Sequence, residues 1–79
     1  MSGGADKIPG LLEAAFRFHH NGDKAAAEQQ YLEILELDPQ HGQALYLLGT
    51  LKAQAGDVAV AQHYLEQAIH QANFLARRL

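Results

Sequence analysis

The sequence contains no cysteine, and that absence removes disulfides, thiolate zinc ligands and a cysteine nucleophile together. Tryptophan is also missing, and there are only two prolines and one methionine. Basic residues are scarce, with six lysines and arginines against nine aspartates and glutamates for a formal charge of -3. Such a balance lacks the basic excess that drives binding to nucleic acid or anionic membranes, so neither is expected as a partner. No apolar run approaches the ~20 residues that span a bilayer, and Met1 to Gly10 has no apolar core of signal-peptide type. The chain therefore reads as soluble and cytoplasmic. Nucleophile elbow, phosphate-binding glycine loop and paired catalytic carboxylates are all missing, so neither an enzymatic role nor a cofactor is expected. At 79 residues the chain is one domain that buries only ~60% of its unfolded surface, too little for a large enclosed active site.

What is abundant is alanine and leucine, fourteen and twelve residues, whereas valine, isoleucine and threonine total six. That mix favours helix over sheet. Turn signals at Pro9-Gly10, Asn21-Gly22-Asp23, Asp38-Pro39-Gln40-His41-Gly42 and Gly56-Asp57 cut the chain into four helix-length pieces. Residues 1–7, with Ser2-Gly3-Gly4 and little apolar surface, read as a flexible leader. The first helix is expected from about Ile8 to His20, capped by Asp6, with Pro9 tolerated in its first turn and an apolar stripe of Leu11, Ala14, Ala15 and Phe18. The second, about Lys24 to Leu37, follows a Gly22 free to take a positive φ and an Asp23 cap; its stripe is Ala27, Tyr31, Ile34 and Leu35. The third, about Gln43 to Ala55, carries Leu45, Leu48 and Gly49, interrupted by Lys52. The fourth, from Asp57 to about Ala72, offers Ala61, Leu65, Ala68 and Ile69.

An internal period organises these pieces, because Gly22-Asp23 recurs as Gly56-Asp57 one 34-residue step later. The same step lays Leu11 on Leu45, Ala25 on Ala59 and Ala27 on Ala61, with Ala15 on Gly49, Tyr31 on Leu65 and Leu35 on Ile69. Helix-turn-helix units repeating at this length are typical of a stacked solenoid. The pattern resembles the tetratricopeptide repeat, whose order is large apolar, small, aromatic, alanine, aromatic, alanine and proline. The first copy supplies Leu11, Ala15, Phe18, Ala27, Tyr31 and Pro39, and departs at Ile34. The second supplies Leu45, Gly49, Ala61, Leu65 and Ala68, and departs at Lys52 and Asn73. The resemblance implies an all-α fold, an α-solenoid of two stacked hairpins forming a segment of right-handed superhelix. Its repeats would be residues 8–41 and 42–75, with 76–79 extending the last helix or starting a third repeat. An ordinary four-helix bundle is the alternative.

The family likeness also implies a protein-interaction scaffold that takes a protein or peptide partner in a concave groove lined by the first helix of each repeat. The groove positions fall on Pro9, Leu12, Phe16, His19 and His20, then on Gln43, Tyr46, Thr50, Ala53 and Gln54. Leu12, Phe16 and Tyr46 form its apolar centre with His19 at the edge, although Leu12 and Phe16 could instead widen the core stripe. The lysine and asparagines by which some family members grip a terminal carboxylate are replaced by Leu12, Phe16 and Leu47, so that activity does not carry over.

Three other features bear on function. His63, Glu66 and His70 share one helix face, which is the spacing of a metal site, but no supporting shell is evident and no metal is expected. Glu28, Glu33 and Glu36 read as a solvated acidic face. Two repeats without a capping helix leave an open apolar end, so the chain is expected to form a homo-oligomer, a dimer above all, through Tyr64, Phe74, Leu75 and Leu79. The other reading is a terminal oligomerisation or recruitment module cut from a larger enzyme such as a transferase.

Overall fold

The computed structural model describes residues 4–77. Ala5–Lys7 form a short 3₁₀ turn, followed by α1 (Ile8–His20), α2 (Lys24–Leu37), α3 (Gly42–Gln54) and α4 (Val58–Arg77). No strand occurs among the described residues, and the fold is all-α. The chain divides into two compact units, Met1–Pro39 and Gln40–Leu79. In the first, α1 packs on α2; in the second, α3 packs on α4.

The same turn chemistry makes each hairpin. Gly22 and Gly56 sit at φ 86° and 88°, a left-handed conformation that side chains with a Cβ resist. At the end of α1, the amide of Gly22 donates to the carbonyl of His19 (3.1 Å) and that of Asp23 to Phe18 (2.8 Å). At the end of α3, Gly56 donates to Ala53 (3.0 Å) and Asp57 to Lys52 (2.9 Å). This paired closure satisfies carbonyls the helix end would otherwise leave without a donor. Asp23 then starts α2 by accepting from the amide of Ala26 at 3.2 Å, the capping role its position predicts.

The helix starts depart from expectation in two places. Asp6 does not cap α1. Lys7 occupies the cap position at φ -82° and ψ -17°, with no side-chain hydrogen bond. The reason lies just upstream, where the amide of Lys7 donates to the carbonyl of Gly4 at 3.1 Å; the chain is already turning when it enters α1. Helix α3 begins at Gly42 rather than Gln43, because the His41 imidazole accepts from the amide of Ala44 through Nδ1 at 3.1 Å. Helix α4 runs past Asn73 to Arg77, the extension expected where asparagine replaces the stopping proline of the first repeat.

The core of the first hairpin is Ala15, Ala27, Tyr31 and Ile34, all fully buried, and that of the second is Ala44, Leu45, Leu48, Leu51 and Ala61. Burying each large member is worth about 1.5 to 3 kcal/mol relative to leaving it exposed. Gly49 marks the closest approach of α3 and α4, since a Cβ there would stand 2.8 Å from Leu65 Cδ2 and 3.3 Å from the carbonyl oxygen of Ala61. Ala44 and Leu51 were not anticipated as core. Ile69 corrects the expected stripe in the opposite direction, being 60% exposed. At its level of α4, Ala68 and Gln71 are the half-buried positions, and Ile69 lies on the outward side.

Candidate interaction surfaces

On the first hairpin, the candidate residues Leu12, Phe16 and His19 follow one another at helical spacing along α1. Leu12 is half-buried, while Phe16 keeps 58% of its surface exposed. His19 is half-buried and turns toward α2, with Nδ1 3.4 Å from the Tyr31 hydroxyl and its ring edge-on to that of Tyr31 at 6.4 Å. Tyr31 is fully buried, and burial raises its phenol above the ordinary value, because a phenolate would lose hydration there. His19 thus gives a buried hydroxyl a partner at the long end of hydrogen-bond range.

On the second hairpin, Tyr46 is 57% exposed, Thr50 is half-buried and Ala53 is exposed. Thr50 Oγ1 donates to the carbonyl of Tyr46 at 2.9 Å, which ties the hydroxyl to its own helix and lessens its availability to a partner. Tyr46 borders an open groove of about 380 Å³ lined by Gln40, Gly42, Tyr46, Ala68, Ile69, Gln71 and Ala72. Its lining combines the small residues Gly42, Ala68 and Ala72 with Tyr46, Ile69 and the uncharged amides Gln40 and Gln71. Such a lining accepts an apolar side chain and offers nothing to an ion. Sequence reasoning missed this groove; the available signal was the recurrence of Gly42, Ala68 and Ala72 around two large apolar residues.

His63 and Glu66 of α4 are engaged along their own helix. His63 Nε2 lies 2.8 Å from Gln67 Nε2, and its ring meets that of Tyr64 at 5.8 Å. Gln62 donates to Glu66 Oε2 at 3.3 Å. Among the described residues, no group of three or more histidine or carboxylate side chains is arranged to hold a metal ion. Of the residues expected to mediate self-association, Tyr64 is half-buried. The side chains of Phe74 and Leu75, and all of Leu79, lie outside the described residues. Helix α4 instead exposes Val58 at 68% and Val60 at 37%, together with Ile69. No helix among the described residues is long and apolar enough to cross a membrane.

Residues 18–41 and 42–71 match the family described as tetratricopeptide repeat. Comparison with curated proteins and with solved structures gives no match.

Proposed function

We propose, since the chain belongs to the tetratricopeptide repeat family, that this protein-protein interaction module engages a partner through apolar residues presented by the first helix of each hairpin. The family is generally a non-catalytic scaffold, and the chemistry displayed here is that of contact. The exposure of Phe16 and Tyr46, at 58% and 57%, carries the reading. Each sits where the family's binding positions fall, and aromatic side chains left in water by the fold are the groups that most often anchor interfaces. Leu12 and His19 accompany Phe16 on α1, and Thr50 and Ala53 accompany Tyr46 on α3. The partner is a peptide or helical segment bearing apolar side chains.

Affinity capture with the wild type beside Phe16→Ala and Tyr46→Ala tests this, with thermal melts on the same preparations. Each substitution removes an exposed side chain, so melting should stay close to wild type while the captured partner is lost or weakened at least tenfold. If the captured proteins are unchanged, these anchors are not the working surface.

Self-association is a second reading, favoured by the apolar residues Val58, Val60 and Ile69 left exposed along α4. A two-fold dimer is the simplest assembly that covers such a face. Tyr64, Phe74, Leu75 and Leu79 extend the proposed contact. Light scattering after size exclusion should give a dimer mass at concentrations on the order of tens of micromolar, and Ile69→Glu should shift it toward monomer. A monomer mass for the wild type at those concentrations removes the dimer.

A further inference from the structure

Helix α3 is started by an imidazole, and that choice has a chemical consequence. His41 is half-buried and occupies the N-cap position at φ -70° and ψ 103°, with its side chain accepting from the amide of Ala44. The accepting atom is Nδ1, at 3.1 Å. Only a neutral imidazole with its proton on Nε2 has a lone pair there; the imidazolium carries a proton on both nitrogens and is a donor alone. Protonation therefore removes the capping bond and places a positive charge at the helix end where backbone amides already point their positive ends. The first hairpin is built differently. Its corresponding residue, Lys7 at the start of α1, makes no side-chain capping bond, and the side-chain cap of that hairpin, at the start of α2, is the carboxylate of Asp23 accepting from the amide of Ala26, an acceptor that does not depend on an imidazole lone pair.

The surrounding charges do not replace the lost bond. The first turn of α3 has no acidic residue. From α4, the helix packed on α3, the titratable groups among the described side chains are His63, Tyr64, Glu66 and His70. His70 is exposed and adjoins Gln71, whose Cβ would lie 3.8 Å from a Cβ at Gly42. Glu66 is held by Gln62. Along the chain the preceding carboxylate is Asp38, which has a partner of its own.

We propose that His41 is a pH-sensitive latch on the second hairpin, holding the first turn of α3 while neutral and releasing it when protonated. The cap lies between Gln40 and Gly42 and one helical turn from Tyr46, three of the residues that line the open groove. Release of the latch loosens that wall, so the groove keeps its form at neutral pH and loses it under mild acid. The latch itself belongs to the fold and stands whether or not the groove is the working surface.

Amide hydrogen exchange of the full chain, read by NMR and divided by the unstructured-chain rate at each pH, tests the latch without a partner. On going from pH 7.5 to 5.5, the protection of Ala44 should fall by about fivefold, the ratio that corresponds to loss of a typical cap. Protection of Ala26, capped by Asp23, is the control within the same molecule and should hold. In His41→Asn and His41→Asp, whose side chains accept at either pH, the fall at Ala44 should vanish. Equal pH dependence in wild type and His41→Asn, or unchanged protection at Ala44 in the wild type, overturns the proposal. A fall shared equally by Ala26 and Ala44 also overturns it, since that reports general unfolding rather than the release of one cap.

Discussion

Leu35 and Ile69 hold equivalent places one repeat apart, yet Leu35 is half-buried and Ile69 is 60% exposed. The second helices of the two hairpins differ in the same sense along their length. In α2, Tyr31 and Ile34 are fully buried; their equivalents in α4, Leu65 and Ala68, are only half-buried. The first helices differ in the reverse direction, since α1 contributes Ala15 alone to the fully covered core while α3 contributes Ala44, Leu45, Leu48 and Leu51. Equivalent places in a repeated pattern are therefore not equally covered. In hairpin one the fully covered large residues lie on α2; in hairpin two they lie on α3, and α4 is left with Val58, Val60 and Ile69 exposed.

The largest test of that contrast copies the second hairpin into the first. Ile34→Ala installs the small residue found at Ala68, at a site with no exposure, and should cost about 2 to 5 kcal/mol through lost burial and a residual cavity. A urea melt measures it, and a cost under about 1 kcal/mol would mean that the first hairpin tolerates the packing of the second.

The reverse copy is smaller in effect. Gly49→Ala gives the second hairpin the residue of Ala15, and its new Cβ would meet Leu65 Cδ2 and Cγ at 2.8 Å. Overpacking of about 1 to 3 kcal/mol is partly offset by the gain of about 0.5 to 1 kcal/mol that alanine has over glycine inside a helix. A net loss of about 1 kcal/mol is expected, and Leu65→Ala in the same chain should remove most of the clash, a coupling that a double-mutant cycle reads.

Alkaline pH should separate the hairpins by chemistry, because Tyr31 is matched by Leu65. Burial raises the Tyr31 phenol above its usual 10.0, so the folded chain keeps a proton that the unfolded chain releases first. The stability tied to this group is complete below the unfolded value and is lost as pH rises through the folded one. The slope cannot exceed about 1.4 kcal/mol per pH unit for one proton. In melts between pH 9 and 11 the stability of wild type relative to Tyr31→Phe should fall as pH rises, and parallel curves would show that this phenol does not govern alkaline stability.

The smallest effect is expected at the exposed member of the opening pair. Ile69→Ser should change stability by no more than about 0.5 kcal/mol, whereas Leu35→Ser should cost more. Equal losses at the two sites would erase the distinction between the repeats.

Much of this architecture was legible because it depends on neighbours within a few residues. Gly22-Asp23 and Gly56-Asp57 mark the hairpin turns because a positive φ and a short acceptor are local requirements, and the absence of proline at Asn73 foretold the long α4. Asp6 and His41 were harder to read. Asp6 has the right chemistry for a cap, but the 3₁₀ turn gives the chain the wrong entry geometry; His41 is an uncommon cap and became one through backbone conformation. At the candidate surfaces, the sequence named Phe16 and Tyr46. It did not reveal the groove beside Tyr46, because that needs Ala68, Ile69 and Ala72 brought from a different helix.

Composition, period and turn residues by themselves determined that this chain makes helices, where they break, and that two hairpins of one family arise, since each of these follows from backbone preference and short-range hydrogen bonding. Only the tertiary structure decided that Gly49 is pressed against Leu65, that His19 reaches the Tyr31 hydroxyl, and that Ile69 stays in solvent while Ile34 does not. Burial sums contacts from residues far apart in the chain, and the room left at each helix contact depends on all of them at once.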